Sequence, residues 1–202
     1  MDNVKAVNET VNKTVDKTVG KTVDKAGGIK TLDMVYIAIS AALIAVCSWI
    51  SIPTTVPFTL QTFAVFFVLL ALGGRRGTIA TVIYVLLGAV GLPVFAGFKG
   101  GIGALLGNTG GYILGFILMG LIYMLITKIM GEKTVVTIFA LVIGLAVCYA
   151  FGTAWFMYVY MRDTGAVGVM TVLSWCVIPF LIPDLLKMAL AFVISKRVRP
   201  ML

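Results

Sequence analysis

Long apolar stretches, separated by short segments that hold most of the charged residues after position 28, constrain this sequence more than any other feature. Each stretch approaches or exceeds the roughly 20 residues that an α-helix needs to cross about 30 Å of hydrocarbon. Backbone polar groups must be paired inside a bilayer, and the stretches lack the period-two alternation of a barrel, so they predict transmembrane helices. The six stretches cover residues 33–52, 56–73, 78–96, 109–128, 134–156 and 168–195.

The composition supports the same fold class. Of the 202 residues, 60% are hydrophobic and 12% are charged, whereas soluble domains contain about 25% charged residues. A chain this apolar could not hide its surface in one water-soluble core. We therefore expect an all-α membrane protein with six transmembrane helices in one bundle, formed by residues 29–202.

The distribution of basic residues predicts the orientation. With both termini in the cytoplasm, six of the 16 Lys and Arg residues lie in the cytoplasmic tail, four in the two inner loops and three after residue 195. Lys99 and Arg162 would lie outside, and Lys187 lies within a span. This asymmetry follows the positive-inside rule and predicts a multi-pass membrane protein with an even number of crossings.

Several function classes are disfavoured. The net charge of +8 falls in short clusters between spans, without the basic stripe of a nucleic-acid-binding surface. The chain has no histidine and no CxxC pair among its three cysteines, which argues against a structural zinc site or a His-based catalytic centre. It also lacks a phosphate-binding Gly-x-x-x-x-Gly-Lys-Ser/Thr motif, so we expect no ATPase activity of its own. We expect no bound metal or cofactor either.

Residues 1–28 differ from the rest. A four-residue repeat there places valines and lysines at regular spacing, ahead of Gly27 and Gly28. Val and Thr are mediocre helix formers, so the segment predicts a polar, solvated cytoplasmic tail. The alternative is a weak amphipathic helix resting on anionic membrane lipid.

The last span contains an acid and a lysine three residues apart. Asp184 and Lys187 share one helical face, and a rise of about 1.5 Å per residue puts Asp184 roughly 16 Å from the end of the span. Pro179 and Pro183 loosen the helix just before them. Intramembrane ionisable residues suggest function, and this pair would suit a ligand with N–H groups beside a carbonyl. The alternative is an ion pair that only stabilises the bundle.

Two patterns of small residues have both a packing and a functional interpretation. The loop from Gly97 to Gly111 is dense in glycine and holds Asn108 and Thr109. Such a loop lets backbone approach a ligand, but it also permits close helix packing. In the first span, Ala38/Ala42 and Ala41/Ala45 form small-xxx-small pairs, which favour packing within the chain or contact with a partner helix.

Three motifs together resemble the BioY family, the biotin-specific substrate-binding components of energy-coupling-factor (ECF) transporters. They are Val56–Thr62 (VPFTLQT), Gly91–Gly97 (GLPVFAG) running into Gly107–Tyr112 (GNTGGY), and Ile182–Lys187 (IPDLLK). The likeness spans the membrane domain, with two departures. Asn108 stands where we expect a proline, which makes it a site candidate. The tail before residue 28 falls outside the family pattern.

The resemblance implies a non-catalytic, high-affinity biotin-uptake subunit of an ECF-type ABC transporter, in the plasma (inner) membrane of a bacterium or archaeon. It implies a transmembrane coupling protein and two cytoplasmic ATPases as partners, with the alanine stripe of the first span (Ala38, Ala41, Ala42, Ala45) facing the coupling protein. Asp184 and Lys187 would hold the ureido ring of biotin, and the segment from Pro57 to Gln61 would form part of an outer lid. The other implied ligand-binding residues are Gln61, Phe95, Gly100, Gly101, Asn108, Thr109, Gly110 and Tyr112.

Other functions stay open at this stage. Another vitamin, or a proton-coupled solute with Asp184 as the protonated group, is the main alternative. An intramembrane enzyme is disfavoured because no nucleophile–base pair or metal-ligand cluster is visible. A membrane-organising protein without a small ligand is a third class. For biotin, the carboxylate could meet either Lys99 or Arg162.

Overall fold

The computed structural model describes residues 31–53 and 56–201, and the predicted tail over residues 1–28 lies outside them. The chain divides into a unit of residues 1–35 and a unit of residues 36–202. Of the first unit, only the opening turn of one helix is described. The elements are α1 (Thr31–Trp49), β1 (Ser51–Ile52), β2 (Phe58–Thr59), α2 (Gln61–Ala89), α3 (Ile102–Leu106), α4 (Gly110–Met130), α5 (Thr134–Asp163), α6 (Val169–Cys176), α7 (Ile178–Val198) and a 3₁₀ turn (Arg199–Met201).

The described residues are mostly helical, as the apolar stretches predict. Five helical segments are long and apolar enough to cross a membrane: α1, α2, α4, α5 and the combined segment of α6 and α7. The structure thus supports a multi-pass helical membrane protein.

The second and third predicted spans lie largely in α2, which is interrupted at Gly73, but the helix begins later and ends earlier than the two spans together. Gly73 has φ 79° and ψ 170°, a conformation that glycine adopts readily and other residues rarely do. A Cβ added to Gly77 would lie only 2.9 Å from the Cα of Leu69, yet residues eight apart in a straight helix lie about 12 Å apart. The chain therefore folds back at Gly73, and residues 61–72 pack against residues 74–89.

The last predicted span is also divided. α6 ends at Cys176 and α7 begins at Ile178, with Val177 between them at φ −123° and ψ −56°. Pro179 lies in the first turn of α7, where a missing N–H removes no helical hydrogen bond, whereas Pro183 lies inside the helix. The two prolines thus mark the start of the segment that bears Asp184.

Glycines bring α4 and α5 into close contact. A Cβ on Gly111 would lie 2.2 Å from the Cβ of Trp155, and one on Gly115 would lie 2.8 Å from the Sγ of Cys148. Both distances are too short for a real Cβ, so these positions require glycine unless a neighbour moves. Gly111 and Gly115, four residues apart on α4, therefore have a packing role and fix the helix that follows the glycine-rich loop.

The edge of the core divides the small-residue stripe of α1. Ala38 and Ala42 are exposed, whereas Ala41 and Ala45 are buried in the hydrophobic core, with 2% and 6% of their surface exposed. The prediction that all four alanines contact a partner helix is therefore wrong for Ala41 and Ala45. The four positions share one helical face about 100° wide, and the edge that carries Ala41 and Ala45 packs into the core.

A short antiparallel hairpin precedes α2. Ser51 pairs with Thr59 and Ile52 with Phe58, and the amide of Leu60 donates to the carbonyl of Ile50 at 3.1 Å. The hairpin ends directly at the start of α2, where it brings Phe58 and Thr59 beside α7.

Candidate ligand-binding site

The helices and the glycine-rich loop enclose a cavity of about 670 Å³. This volume falls in the range of about 300–1,000 Å³ that is typical of small-molecule sites. Its wall is formed by the hairpin, α2, the loop before α4, and residues of α4, α5, α6 and α7. Of the predicted ligand-binding residues, eight line it: Gln61, Phe95, Gly100, Asn108, Thr109, Tyr112, Asp184 and Lys187.

The two remaining predicted residues, Gly101 and Gly110, lie outside the lining and shape the loop. Gly101 has φ +88° and donates its amide to the carbonyl of Gly88 at 2.7 Å. A Cβ on Gly110 would lie 1.7 Å from the carbonyl oxygen of Leu105. The positive φ of Gly101 and the lack of a Cβ at Gly110 permit the tight turns on either side of α3.

Asp184 and Lys187 form a buried ion pair on the cavity wall. Lys187 Nζ lies 2.8 Å from Asp184 Oδ1, and the two residues are 8% and 1% exposed. Their spacing of three on α7 puts them on one helical face, as predicted. Because an unpaired buried charge is strongly destabilising, each charge depends on the other to remain buried.

Every N–H of the Lys187 ammonium has a protein acceptor. Besides Asp184 Oδ1, it donates to the carbonyl of Thr59 at 2.7 Å and to Thr62 Oγ1 at 3.1 Å. The ammonium also lies 4.2 Å from the centroid of the Phe58 ring, which in turn stacks on Phe180 at 5.6 Å. The hairpin thus supplies a carbonyl and an aromatic face to the lysine of α7.

Asp184 accepts three hydrogen bonds and keeps room for one more. Oδ1 accepts from Lys187 and from the hydroxyl of Thr62 at 2.8 Å, and Oδ2 accepts from the hydroxyl of Tyr149 at 2.6 Å. An ionised carboxylate offers about four acceptor positions. The free position lies on Oδ2, next to Tyr149, and suits an N–H donor of a ligand.

An amide without a partner lies in the same wall. Gln61 is 5% exposed, and its Nε2 has no hydrogen-bond acceptor among the described residues. A buried donor left unpaired costs about 1–3 kcal/mol. Gln61 is therefore suited to donate to a polar group inside the cavity.

Aromatic side chains fix the glycine-rich loop at the opposite wall. Trp155 Nε1 donates to the carbonyl of Gly107 at 3.1 Å, and the hydroxyl of Tyr112 lies 3.0 Å from Thr153 Oγ1. Both contacts join the loop and the start of α4 to α5. The wall that carries Asn108 and Thr109 is thereby held in place.

Comparison with known proteins agrees with the motifs. The sequence model of the BioY family matches residues 17–202. This chain belongs to the BioY family. The resemblance inferred from three short motifs is thus confirmed across most of this chain. The prediction that the tail before residue 28 falls outside the family pattern is wrong for residues 17–28, which the match includes.

Individual BioY relatives match over most of their length. The "Biotin transporter BioY" of Thermotoga maritima is 41% identical over 167 residues, which are 82% of this chain and 95% of the relative. The "Probable biotin transporter BioY" of Pyrococcus horikoshii is 37% identical over 173 residues, 85% of this chain and 98% of the relative. A crystal structure of the S-component for biotin from an ECF-type ABC transporter superposes with a TM-score of 0.72 at 25% identity, and covers 83% of this chain and 90% of that one.

Sequence reasoning missed several residues of this BioY site. Thr59 and Thr62 belong to a motif that it quoted, but it selected only Gln61 from that segment. Tyr149 lies in an apolar span, where its hydroxyl was a signal that a polar partner must be near. Phe58 has no such signal, because an aromatic residue next to proline is common in lids and cores alike.

Proposed function

We propose that this chain takes up biotin across the plasma membrane, as the high-affinity substrate-binding subunit of an ECF-type ABC transporter. The observation that carries the proposal is the buried Asp184–Lys187 pair, which lies on the wall of a cavity of vitamin size. The names of the BioY relatives, and of the solved biotin S-component with the same fold, indicate that the ligand is biotin.

The hydrogen-bond inventory suits the ureido ring of biotin. One ureido N–H would donate to the free acceptor position of Asp184 Oδ2. The ureido carbonyl would accept from Lys187, whose ammonium would exchange the carbonyl of Thr59 for that of the ligand. A rigid ring with N–H groups beside a carbonyl matches an acid and a lysine held side by side.

The remaining lining residues would contact the rest of the ligand. Phe95, Gly100, Thr109 and Tyr112 would surround the ring system and the chain of biotin, and Gln61 and Asn108 would supply amide groups. The segment from Pro57 to Gln61 would cover the site from outside.

We place six crossings in the membrane, with both termini in the cytoplasm. The reversal at Gly73 supports counting the two halves of α2 separately. An ion pair between Arg199 and Glu132 joins the C-terminal turn to the α4–α5 connection, and a Cβ on Gly73 would lie 3.6 Å from Glu132 Oε1. The reversal at Gly73, the α4–α5 connection and the C-terminal turn therefore lie at the same end of the bundle. Each is separated from the next by two crossings in a six-crossing topology, and Arg75 and Arg76 make this end basic, as expected for the cytoplasmic side.

The chain would act without catalysis. A transmembrane coupling protein and two cytoplasmic ATPases would supply the energy, and the exposed alanines of α1, Ala38 and Ala42, would contact the coupling protein. Only these two of the four alanines are accessible for that contact.

A binding screen tests the proposal. Purified protein in detergent is titrated with biotin, thiamine, riboflavin and folate. We expect saturable, one-site binding of biotin and none of the other three at the same concentrations. Tight binding of another vitamin in preference to biotin would refute the assignment of the ligand.

A further inference from the structure

We propose that Lys99 recognises the carboxylate of the ligand and thereby selects the free acid over its neutral amides and esters. The inference rests on the proposed function, since it assumes that biotin occupies the cavity with its ureido ring at Asp184. It identifies the residue that binds the carboxylate end of the ligand, whereas the buried pair would bind only the ureido ring.

The charges of the cavity leave one cation available. Among the described residues that line it, Asp184, Lys187 and Lys99 are charged. Asp184 and Lys187 neutralise each other, and all three N–H groups of Lys187 have acceptors. Lys99 forms no ion pair with any described residue. The lining therefore carries one net positive charge, which complements a ligand with one carboxylate.

The charged residues of the cavity differ in how deeply they are buried. Asp184 and Lys187 are 1% and 8% exposed, whereas Lys99 is exposed. A ligand whose ring reaches the buried pair would extend its chain toward the open side. A carboxylate at the end of that chain would remain partly hydrated there and would meet a cation that is also hydrated, which avoids the desolvation cost of a fully buried pair.

The backbone of Lys99 is held by the loop around it. Its carbonyl accepts from the amide of Phe95 at 2.9 Å, and a Cβ on the next residue, Gly100, would lie 2.3 Å from the carbonyl oxygen of Leu92. Lys99 thus projects from a fixed point of the wall, although its side chain is long.

The residue before Lys99 has an unusual conformation. Phe98 has φ +56°, which non-glycine residues seldom adopt. Its ring is exposed and stacks on Trp49 with 5.2 Å between centroids, and Trp49 Nε1 donates to the carbonyl of Pro93 at 2.8 Å. The left-handed turn at Phe98 places this aromatic side chain against α1, while the next residue lines the cavity. Strain of this kind persists where the surrounding structure requires a particular side-chain direction.

The other candidate cation, Arg162, does not fit. It is absent from the cavity lining, its side chain is 76% exposed, and its Nε lies 4.0 Å from Asp163 Oδ1. Arg162 is therefore a matched control: an exposed basic residue whose removal changes the net charge by the same amount as removal of Lys99.

The test compares two ligands across four proteins. Dissociation constants for biotin and for biotinamide, which keeps the ureido ring but has no charge, are measured for the wild type, Lys99→Gln, Lys99→Arg and Arg162→Gln. We expect Lys99→Gln to weaken biotin binding by about three- to fivefold, as for a partly hydrated ion pair, and to change biotinamide binding by less than about twofold. Lys99→Arg should restore most of the affinity for biotin. Arg162→Gln should leave both constants unchanged.

The outcomes separate the two proposals. If the wild type binds neither ligand, the proposed function fails. If it binds both, but Lys99→Gln weakens neither or weakens both equally, the role of Lys99 is refuted while the ligand stands. An equal loss of biotin affinity in Arg162→Gln would also overturn the inference, because the effect would then come from net charge and not from a contact in the cavity.

Discussion

The hydroxyl of Tyr149 lies 2.6 Å from Asp184 Oδ2 and joins α5 to the charged pair of α7. Thr62 on α2 donates to the other carboxylate oxygen. Three helices therefore determine the orientation of one carboxylate, and the acceptor position that remains free is fixed in direction. A ligand N–H would meet a preorganised acceptor, which reduces the cost of ordering on binding.

Tyr149→Phe should weaken biotin binding by about three- to tenfold. The substitution removes a donor to a charged acceptor, a hydrogen bond that contributes about 1.5–3 kcal/mol, part of which is recovered when the ligand fills the space. Isothermal titration of the purified variant checks this. Tyr158→Phe is the matched control, since Tyr158 lies on the same helix but is 65% exposed. Equal affinities for Tyr149→Phe and the wild type would show that the hydroxyl does not orient Asp184.

Asp184→Asn and Lys187→Ala should each weaken biotin binding by at least about tenfold. Either change leaves a buried charge without its partner and removes a proposed contact of the ureido ring. Titration with biotin gives the dissociation constants, and thermal unfolding in detergent reports the accompanying loss of stability. Near-native affinity in both variants would contradict a role of the pair in binding.

A double variant separates binding from stability. In Asp184→Asn/Lys187→Met both charges are removed, so the protein should regain much of the thermal stability that Asp184→Asn loses. Its affinity for biotin should stay at least about tenfold below that of the wild type. If the double variant regains both stability and affinity, the pair serves only to stabilise the bundle.

Local signals in the sequence predicted the membrane class and the buried pair, and the resemblance to the BioY family supplied eight residues of the cavity wall. An uncharged stretch of about 20 residues is recognised from the sequence as a transmembrane helix. Asp184 and Lys187 are conspicuous because they are charged residues within such a stretch. The division of α2 at Gly73 was also anticipated, since Arg75 and Arg76 follow it closely. These features require no knowledge of which helices are neighbours.

What sequence reasoning could not supply depends on tertiary contacts. Thr62 and Tyr149 are 122 and 35 residues from Asp184 along the chain, and only packing brings their hydroxyls to its two oxygens. Similarly, Ala41 and Ala42 are equivalent as small residues, and only the position of α1 against the core makes one buried and the other exposed.

Gly88→Ala should destabilise the protein and distort the cavity. A Cβ there would lie 2.0 Å from Phe95 Cζ, and Phe95 is fixed by an edge-on contact with Tyr84 at 5.6 Å. Overpacking of this kind costs about 1–3 kcal/mol, so the melting temperature and the affinity for biotin should both fall. Gly103→Ala is the control for stability, because a Cβ at Gly103 meets no atom within 4 Å. A melting temperature of Gly88→Ala equal to that of the control would show that Phe95 can move at no cost.

Cysteine labelling in intact cells tests the six-crossing topology. Single substitutions Lys99→Cys and Lys133→Cys are treated with a membrane-impermeant maleimide. We expect Lys99→Cys to react in intact cells and Lys133→Cys to react only after the membrane is opened. The parent protein is the background control, since Cys47, Cys148 and Cys176 are buried. Labelling of both positions from the same side would exclude the proposed orientation.

Ala38→Trp and Ala41→Trp should fail in different ways. Ala38 is exposed, so a tryptophan there should leave biotin affinity and melting temperature close to those of the wild type but reduce uptake in cells that contain the complete transporter, because it would obstruct contact with the coupling protein. Ala41 is 2% exposed, so a tryptophan there should lower the melting temperature through overpacking. Uptake of radiolabelled biotin and unfolding of the purified variants distinguish these effects. Normal uptake by Ala38→Trp would rule out this face of α1 as the partner contact, whatever the behaviour of Ala41→Trp.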